Sequence, residues 1–588
     1  MIVVAPTSTG GLRYLSTLAN MTRYRFRLLA VTAIFTSIVL RYLVLPNPLY
    51  GATHDDELMV RLGASILRGN WLGDYSNGGH MLLSKPAGYP LFLAWTHFLP
   101  WSPTMTVHVI LLTGILLVAR ELRYINMSRG FVLLFIALSA LNPQWFGAEM
   151  SRIYRDGLLT ALTFLGLGLS LWLGRIIPTW FQRKQFQGRV AVEVLIVSLL
   201  SGLTLSWSIA TKPGWYPLAI VMFILSSRRM ICIRRISWTD WLPRLAATGV
   251  IGIIGITSIV GYVMLQNQRH YGISQLDSFS AGSFPVALNK WSSVKSDDSR
   301  KYILVDASQR KRVYAISPTA KKLETYLESS PGTGWKAQSC SSPLNICDES
   351  ATWFVWDLRD AMHNAGLDTS GELFEASFAQ ISSDISIACQ AHRFRCSKSG
   401  IAPGVVSLGD MSKREIVDAY ATAMDWLVFP SIGYTTRGGV AGDGRMTQDW
   451  DQVVRGLPDR IPLNLYRPEV TAIGNTISLL QRLYAVFWPV LILLAMLGFI
   501  TNMFRKERIH GVRLISLVAI FGGALFIGQL ALLEASSGMY LTAGKPMYLL
   551  PAFPFLLLTI SIELEIVSGQ LTSRYEFSKL SNKDDAQC

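Results

Sequence analysis

Residues 245–266 read Leu-Ala-Ala-Thr-Gly-Val-Ile-Gly-Ile-Ile-Gly-Ile-Thr-Ser-Ile-Val-Gly-Tyr-Val-Met-Leu-Gln, a run without a charged side chain. A helix needs roughly 20 mostly apolar residues to cross the hydrocarbon core of a bilayer. Nine further segments have the same character, at about 27–45, 105–122, 130–147, 157–174, 191–210, 214–227, 483–501, 512–534 and 547–566. The sequence therefore predicts a mainly α-helical, polytopic membrane protein, a bundle of about ten transmembrane helices.

The composition of the whole chain agrees with this fold class. Of its 588 residues, 50% are hydrophobic and only 16% are charged. Soluble domains carry roughly 25% charged residues. These proportions exclude a disordered chain, a collagen-like fibre and a small disulfide scaffold.

Basic residues stand in short clusters along the chain. Lysine and arginine number 54 against 39 acidic residues, a net charge of +15. The clusters lie at the ends of apolar segments, at 23–27, 183–184, 228–235 and 505–508. Cytoplasmic loops of membrane proteins carry such clusters, so we predict a cytoplasmic N-terminus. A nucleic-acid surface would gather them on one helix or groove, and we predict no nucleic-acid partner.

This orientation puts a loop at 47–104 and a polar block at 267–475 on the extracytoplasmic side. We predict that the block is a large, mostly helical domain inserted between the seventh and eighth spans. The expected division of the chain is a membrane region at 1–266, the inserted domain at 267–475, a membrane region at 476–566 and a cytoplasmic tail at 567–588. Within the block, Trp353, Trp356 and Asp360 form an amphipathic helical stripe, and Ser412 with Glu415 resembles a capping box.

Four of the six cysteines lie in the inserted domain as two pairs, each seven residues apart: Cys340 with Cys347, and Cys389 with Cys396. Outside the cytoplasm such pairs form disulfides. A zinc site is disfavoured, because the short Cys-x-x-Cys spacing and a histidine pair are both missing.

The first outer loop opens with the acidic motif His54-Asp55-Asp56-Glu57. Residues 58–67 after it have helical apolar spacing, so one aspartate could simply cap that helix. The chemical interpretation is that Asp55 or Asp56 is a general base, with His54 or Glu57 adjusting its pKa. A carboxylate cluster also suits a hard divalent cation, the one cofactor that the sequence leaves open.

Cations recur in the segments predicted to be outer. Lys85 could be an anchor at the membrane interface or a phosphate ligand. The second outer loop carries Arg152, Tyr154, Arg155 and Asp156, which could form a stapling ion pair or bind phosphate. Further candidates are Lys212, Lys545 and Tyr548. We expect these side chains to converge on one electropositive pocket at the membrane surface.

This arrangement resembles the GT-C superfamily of polytopic glycosyltransferases, which use sugars carried on polyprenyl or dolichyl phosphates. The resemblance rests on the acidic motif after the first span, the helix beyond it, Arg152, Arg155 and Asp156 of the second outer loop, and Lys545 with Tyr548 between the last two spans. It implies that Asp55 or Asp56 is a catalytic base or, as in the oligosaccharyltransferase branch, a metal ligand. It also implies that Arg152, Arg155, Lys212 or Lys545 contacts the lipid phosphate. The leading His54, and a lysine where an arginine is commoner, depart from the family's pattern.

The expected function is hexosyl or pentosyl transfer from a polyprenyl-phosphate donor to a cell-surface glycan, lipid or protein. It would take place on the extracytoplasmic face of a multi-pass protein in the cell membrane. The sequence has no usable glycosylation site, which favours a bacterial plasma membrane. One alternative is a ligase or polymerase of lipid-linked oligosaccharides, and another is a transporter or flippase. A transporter usually has duplicated halves and charges at the membrane midplane, and neither is visible in the sequence.

Overall fold

The structure is a computed structural model. It describes residues 21–44, 55–75, 82–182, 188–228, 238–296, 300–330, 333–397, 412–429, 444–454, 468–503, 511–537 and 546–576. Helices dominate this part of the chain, and its one β feature is an isolated antiparallel bridge between Val294 and Cys396. The protein is a mainly α-helical, multi-pass membrane protein, as the sequence predicts.

The described residues of the first half of the chain form ten helices. They are α1 (Arg23–Leu43), α2 (Asp56–Leu67), α3 (Gly88–Thr96), α4 (Pro103–Tyr124), α5 (Arg129–Ala140), α6 (Ala148–Ser151), α7 (Arg155–Gln182), α8 (Arg189–Thr211), α9 (Tyr216–Ser227) and α10 (Trp238–Tyr271). A 3₁₀ turn at Pro143–Phe146 lies between α5 and α6. The long helix α7 packs against both α4 and α8, and α8 packs along α10.

The described part of the polar block contributes nine α-helices. They are α11 (Ser283–Ser293), α12 (Ala307–Tyr314), α13 (Pro318–Lys321), α14 (Glu324–Leu327), α15 (Gly334–Ser341), α16 (Phe354–Asn364), α17 (Gly371–Gln390), α18 (Lys413–Val428) and α19 (Gly444–Val454). The last membrane region follows as α20 (Pro468–Met503), α21 (Gly511–Ser537), a 3₁₀ helix at Pro546–Ala552 and α22 (Phe553–Glu576).

In the described residues, eight helices are long and apolar enough to cross a membrane: α1, α4, α7, α8, α10, α20, α21 and the segment Met547–Ser568 that includes α22. The expected count of ten is therefore not confirmed. The other two predicted spans, 130–147 and 214–227, contain only the 12-residue helices α5 and α9. A helix of that length rises about 18 Å, less than the roughly 30 Å hydrocarbon core.

Both short helices nevertheless connect long helices that run parallel. Gly114 of α4 faces Leu165 of α7, and further along both helices Leu117 faces Gly168. Parallel neighbours require the chain between them to return from one end of the bundle to the other. The same holds for α8 and α10, where the Ser206 hydroxyl accepts hydrogen bonds from the backbone of Ile259 and Val260. Helices α5 and α9 therefore lie on the returning segments.

In the inserted domain Phe284, Phe374 and Phe378 pack together, in a core that also includes residues of the segment between α1 and α3, such as Leu58 and Leu83. Both predicted disulfides are confirmed, Cys340–Cys347 with Cα atoms 4.2 Å apart and Cys389–Cys396 with Cα atoms 5.8 Å apart. The capping box of Ser412 and Glu415 is also present. The neighbouring helices extend past the predicted borders of 267 and 475, because α10 continues to Tyr271 and α20 begins at Pro468.

Candidate active site

The acidic motif lies at the start of α2. Asp55 occupies the N-cap position and Asp56 is the first helical residue. The Asp55 side chain makes no capping hydrogen bond. Capping therefore does not account for this carboxylate, although both aspartates lie where the helix dipole favours negative charge.

Asp56 is buried and bound by Arg152 in a two-point ion pair. Arg152 donates from Nε to Oδ2 at 3.0 Å and from Nη2 to Oδ1 at 2.6 Å. Burial raises the pKa of the Asp56 carboxyl, and the Arg152 guanidinium opposes that shift. Although burial opposes it, the pKa of Arg152 is raised by the Asp56 and Glu149 carboxylates, so this arginine stays charged. The pair joins the start of α2 to the segment between α6 and α7.

Asp55 has different partners and remains accessible. Its Oδ1 accepts hydrogen bonds from Lys85 Nζ at 2.8 Å and from the Tyr154 hydroxyl at 3.2 Å. The Asp55 side chain is 24% exposed, whereas that of Asp56 is 4% exposed. Burial raises the pKa of Tyr154 well above its usual range, so its hydroxyl donates to Asp55 as a neutral group. A substrate can therefore approach Asp55 but not Asp56.

A second set of contacts links α7 and α8 to the last membrane region. Lys212 Nζ donates to Asp156 Oδ1 at 3.3 Å and lies 5.2 Å from the centre of the Tyr548 ring. Burial lowers the pKa of Lys212, and the Asp156 carboxylate counteracts this. Arg152 also reaches this region, with Nη1 lying 3.2 Å from the Met547 sulfur.

Arg155 is the exceptional cation of the group. Its guanidinium lies 5.6 Å from the centre of the Tyr154 ring. Its Nε is buried without a hydrogen-bond partner, and no carboxylate in the described ranges pairs with it at ion-pair distance. A partly buried guanidinium in that state can bind an anion without first breaking an existing ion pair.

We use the name "charged cluster" for the side chains that these contacts gather at one end of the bundle. Its members are Asp55, Asp56, Lys85, Glu149, Arg152, Tyr154, Arg155, Asp156, Lys212 and Tyr548. They come from separate segments of the chain, and the predicted convergence is observed for them. The expected electropositive pocket is not, because the described members include four carboxylates and four cations.

The remaining predicted residues are distributed differently. Glu57 is half-buried in the first turn of α2. His54 and Lys545 lie outside the described residues. Glu149, which the sequence analysis did not select, lies 3.6 Å from Arg152 Nη1, and burial raises its pKa while Arg152 opposes the shift.

A divalent cation has no evident site in the described ranges. They contain no group of three histidine, cysteine, aspartate or glutamate side chains that could hold a metal ion. Asp55 and Asp56 are each engaged by a cationic side chain, which a metal would have to displace. A cavity of about 290 Å³ lined by Tyr75, Tyr271 and Glu372 lies elsewhere, and no member of the charged cluster lines it.

Two contacts of the cluster were missed from the sequence. Trp356 of the inserted domain lies with its ring centre 5.4 Å from Lys85 Nζ, and Met547 lies against Arg152. The stripe that contains Trp356 indicated only an amphipathic helix. No local signal in the sequence connects that helix to residue 85.

This chain has only distant similarity to known proteins. No family model and no curated protein matches the chain. Two crystal structures of ArnT from Cupriavidus metallidurans are similar in part. The apo structure has 15% identity and a TM-score of 0.29 over 92% of this chain and 78% of that chain. The structure bound to undecaprenyl phosphate has 14% identity and a TM-score of 0.26 over 94% and 78%. Superpositions of this quality establish no correspondence between residues.

Proposed function

We propose that the protein is an integral membrane glycosyltransferase. It transfers a sugar from a polyprenyl-phosphate donor to a glycan, lipid or protein acceptor on the extracytoplasmic face. The observation that carries this proposal is that one cluster at the ends of the membrane helices contains both an accessible carboxylate, Asp55, and a guanidinium, Arg155, that no carboxylate of the described residues pairs with. Sugar transfer from a lipid phosphate needs both groups, a base for the acceptor and a cation for the leaving phosphate.

Asp55 is the better candidate for the base. It takes the proton from the acceptor hydroxyl, whose oxygen then attacks the anomeric carbon of the donor sugar. The bond from that carbon to the phosphate oxygen breaks, and the lipid phosphate leaves with the bonding electrons. Asp56 is shielded and held at two points by Arg152, so its role is to fix the guanidinium in place.

The leaving phosphate gains negative charge as the bond breaks. Arg155 and Lys212 are the cations best able to stabilise it, because Arg155 has no carboxylate partner among the described residues and Lys212 holds its partner at a long 3.3 Å. Stabilising charge that develops in the transition state accelerates the chemical step directly. This mechanism inverts the configuration at the anomeric carbon.

The test is transfer of labelled sugar from a panel of polyprenyl-phosphate donors by the purified protein in liposomes. We expect wild-type activity, and a fall of about 10²–10⁴ for Asp55→Asn, the loss typical of a missing general base. Asp74→Asn is the matched control, since Asp74 lies in the same loop, is exposed and is not part of the charged cluster. Thermal unfolding must show that both variants fold as the wild type does.

Each other outcome has a definite meaning. Full activity of Asp55→Asn would remove that carboxylate from the chemistry. A wild type that uses only oligosaccharide-bearing lipids would be a ligase or polymerase. Movement of labelled lipid across the bilayer without transfer would identify a flippase.

A further inference from the structure

The segment 82–85 brings Lys85 to Asp55, yet the membrane helices alone do not hold it there. Side-chain and backbone groups of the inserted domain donate hydrogen bonds to two successive carbonyls of this segment. Arg359 of α16 donates to the Leu82 carbonyl at 3.0 Å. The backbone N–H and hydroxyl of Ser278 both donate to the Leu83 carbonyl, at 2.8 and 3.0 Å. Arg359 also donates to the Ser278 hydroxyl, which ties the two anchors together.

These anchors hold an unfavourable backbone conformation. Leu83 is fully buried with a φ of 52°, in the left-handed region that a leucine rarely adopts. Such a conformation costs of the order of 1–3 kcal/mol and persists only where the surroundings enforce it. Here the enforcing groups belong to the inserted domain. The turn directs the next residues, including Lys85, toward the charged cluster.

The domain also contacts the lysine side chain itself. Trp356 lies three residues before Arg359 in α16 and therefore on the same face of that helix. Its ring centre lies 5.4 Å from Lys85 Nζ, and the Tyr154 ring lies 5.9 Å from the same nitrogen. Lys85 is 7% exposed, so both cation–π contacts act in a largely dry environment, where they are strongest.

Trp356 is in turn fixed by other aromatic side chains. Trp335 stacks on it with ring centres 6.0 Å apart, and the edge of Phe279 meets it at 4.9 Å. Trp335 is itself held, because its indole N–H donates to Asp360 at 2.7 Å. The ring that faces Lys85 is therefore a rigid part of the domain.

We propose that Trp356 is a positioning residue through which the inserted domain holds Lys85 on Asp55. Lys85 orients the Asp55 carboxylate by its 2.8 Å hydrogen bond and places a positive charge beside it. The inserted domain thus helps to position the catalytic base. This inference rests on the proposed function, because Asp55 must be the base for its orientation to matter.

The test is a double-mutant cycle in the transfer assay. Trp356→Ala should lower kcat about ten- to thirtyfold, the equivalent of a desolvated cation–π contact, with a smaller effect on the KM for the donor. Trp356→Phe, which keeps an aromatic face, should recover most of that loss. Trp353→Ala is the matched control, because Trp353 also stacks on Trp335, at 5.7 Å, from the same segment of the domain.

The decisive comparison uses Lys85→Ala as the background. If Trp356 acts through Lys85, then Trp356→Ala should have almost no further effect in that background, since contacting residues are strongly non-additive. Equal losses in both backgrounds would overturn the proposal and leave Trp356 with a merely structural role. A wild type without transfer activity would instead refute the proposed function.

A pH–rate profile gives a second measurement that does not depend on the residual activity of the Lys85 variant. Without the Trp356 ring the Lys85 ammonium group is no longer held beside Asp55, and a carboxylate further from a positive charge is easier to protonate. The acid limb of the profile for Trp356→Ala should therefore move to higher pH, while that of Trp353→Ala stays in place. An unchanged acid limb in Trp356→Ala would contradict the proposal.

Discussion

Two groups of ion pairs lie at different places in the bundle, the pair of Arg175 with Glu121 and the charged cluster. Both join arginines to carboxylates, but they differ in how completely their charges are paired. Near the far end of α4 and α7 from the charged cluster, Arg175 binds Glu121 at two points, 2.7 and 3.1 Å. Glu121 is almost completely buried, and the Tyr124 ring packs on the arginine at 4.0 Å. Both charges are neutralised by a neighbour on an adjacent helix, so this pair fastens α4 to α7.

The charged cluster differs in two respects. Its partners come from distant segments, and its pairing is incomplete: Asp55 is accessible, and Arg155 has no carboxylate partner in the described ranges. Incomplete pairing of a buried charge is costly, and folding alone gives no reason to retain it. The difference between a fastening pair and a candidate site therefore lies in what remains unsatisfied, and substitutions can test it.

The largest contrast is expected for the two arginines. Arg155→Gln should reduce sugar transfer by about 10²–10³, the usual cost of removing one group that stabilises developing charge. Its melting temperature should change little, because no ion pair in the described ranges is lost. Transfer kinetics and thermal unfolding measure the two effects separately. A variant that melts early but transfers sugar normally once folded would assign Arg155 to fastening.

Arg175→Gln should show the reverse pattern. It leaves the Glu121 carboxylate buried without its guanidinium, and breaking a buried pair in this way costs about 3–5 kcal/mol. The loss should appear in thermal unfolding of the protein in detergent. The matched double variant Glu121→Gln/Arg175→Gln removes both charges and should recover much of the stability. An unchanged kcat in the fraction that remains folded would confirm that Arg175 serves stability alone. A loss of kcat in that fraction would contradict this.

A buried carboxylate of the inserted domain, Asp357, is expected to have a smaller effect, on the pH dependence of stability. Asp357 of the inserted domain is 5% exposed, and burial raises its pKa to about 6, opposed by Ser350 and Arg310. The folded state therefore binds this proton more tightly than the unfolded state. Stability from this group is complete below about pH 4 and is lost as pH rises to about 6, by about 2–3 kcal/mol. Asp357→Asn should flatten that part of the pH–stability curve in thermal unfolding, and an unchanged slope would contradict it.

Much of the fold follows from local features of the sequence. The long apolar runs predicted the eight spanning helices, because crossing a bilayer is a matter of length and polarity. Cysteines seven residues apart predicted both disulfides, and Ser412 with Glu415 predicted a capping box. The returning segments with α5 and α9 were predicted as full spans, since the length of an apolar run does not reveal how much of it is helical.

The charged cluster was predictable only as a set of candidates. The sequence named Asp55, Asp56 and the cations of the second outer loop, because charges beside membrane segments are costly and need a reason. It could not tell which aspartate is shielded by Arg152 and which stays accessible. Those differences arise from packing between segments nearly a hundred residues apart, which no local pattern encodes.

The sequence by itself therefore determined which segments lie in the membrane and which lie in water, since apolar length and charge are properties of a continuous stretch of chain. Only the tertiary structure decided the partner of each charge. Trp356 contacts Lys85, and Arg359 donates a hydrogen bond to the Leu82 carbonyl. Both contacts join residues far apart in the chain. Such contacts depend on how the inserted domain docks, and docking is set by the combined shape of many side chains.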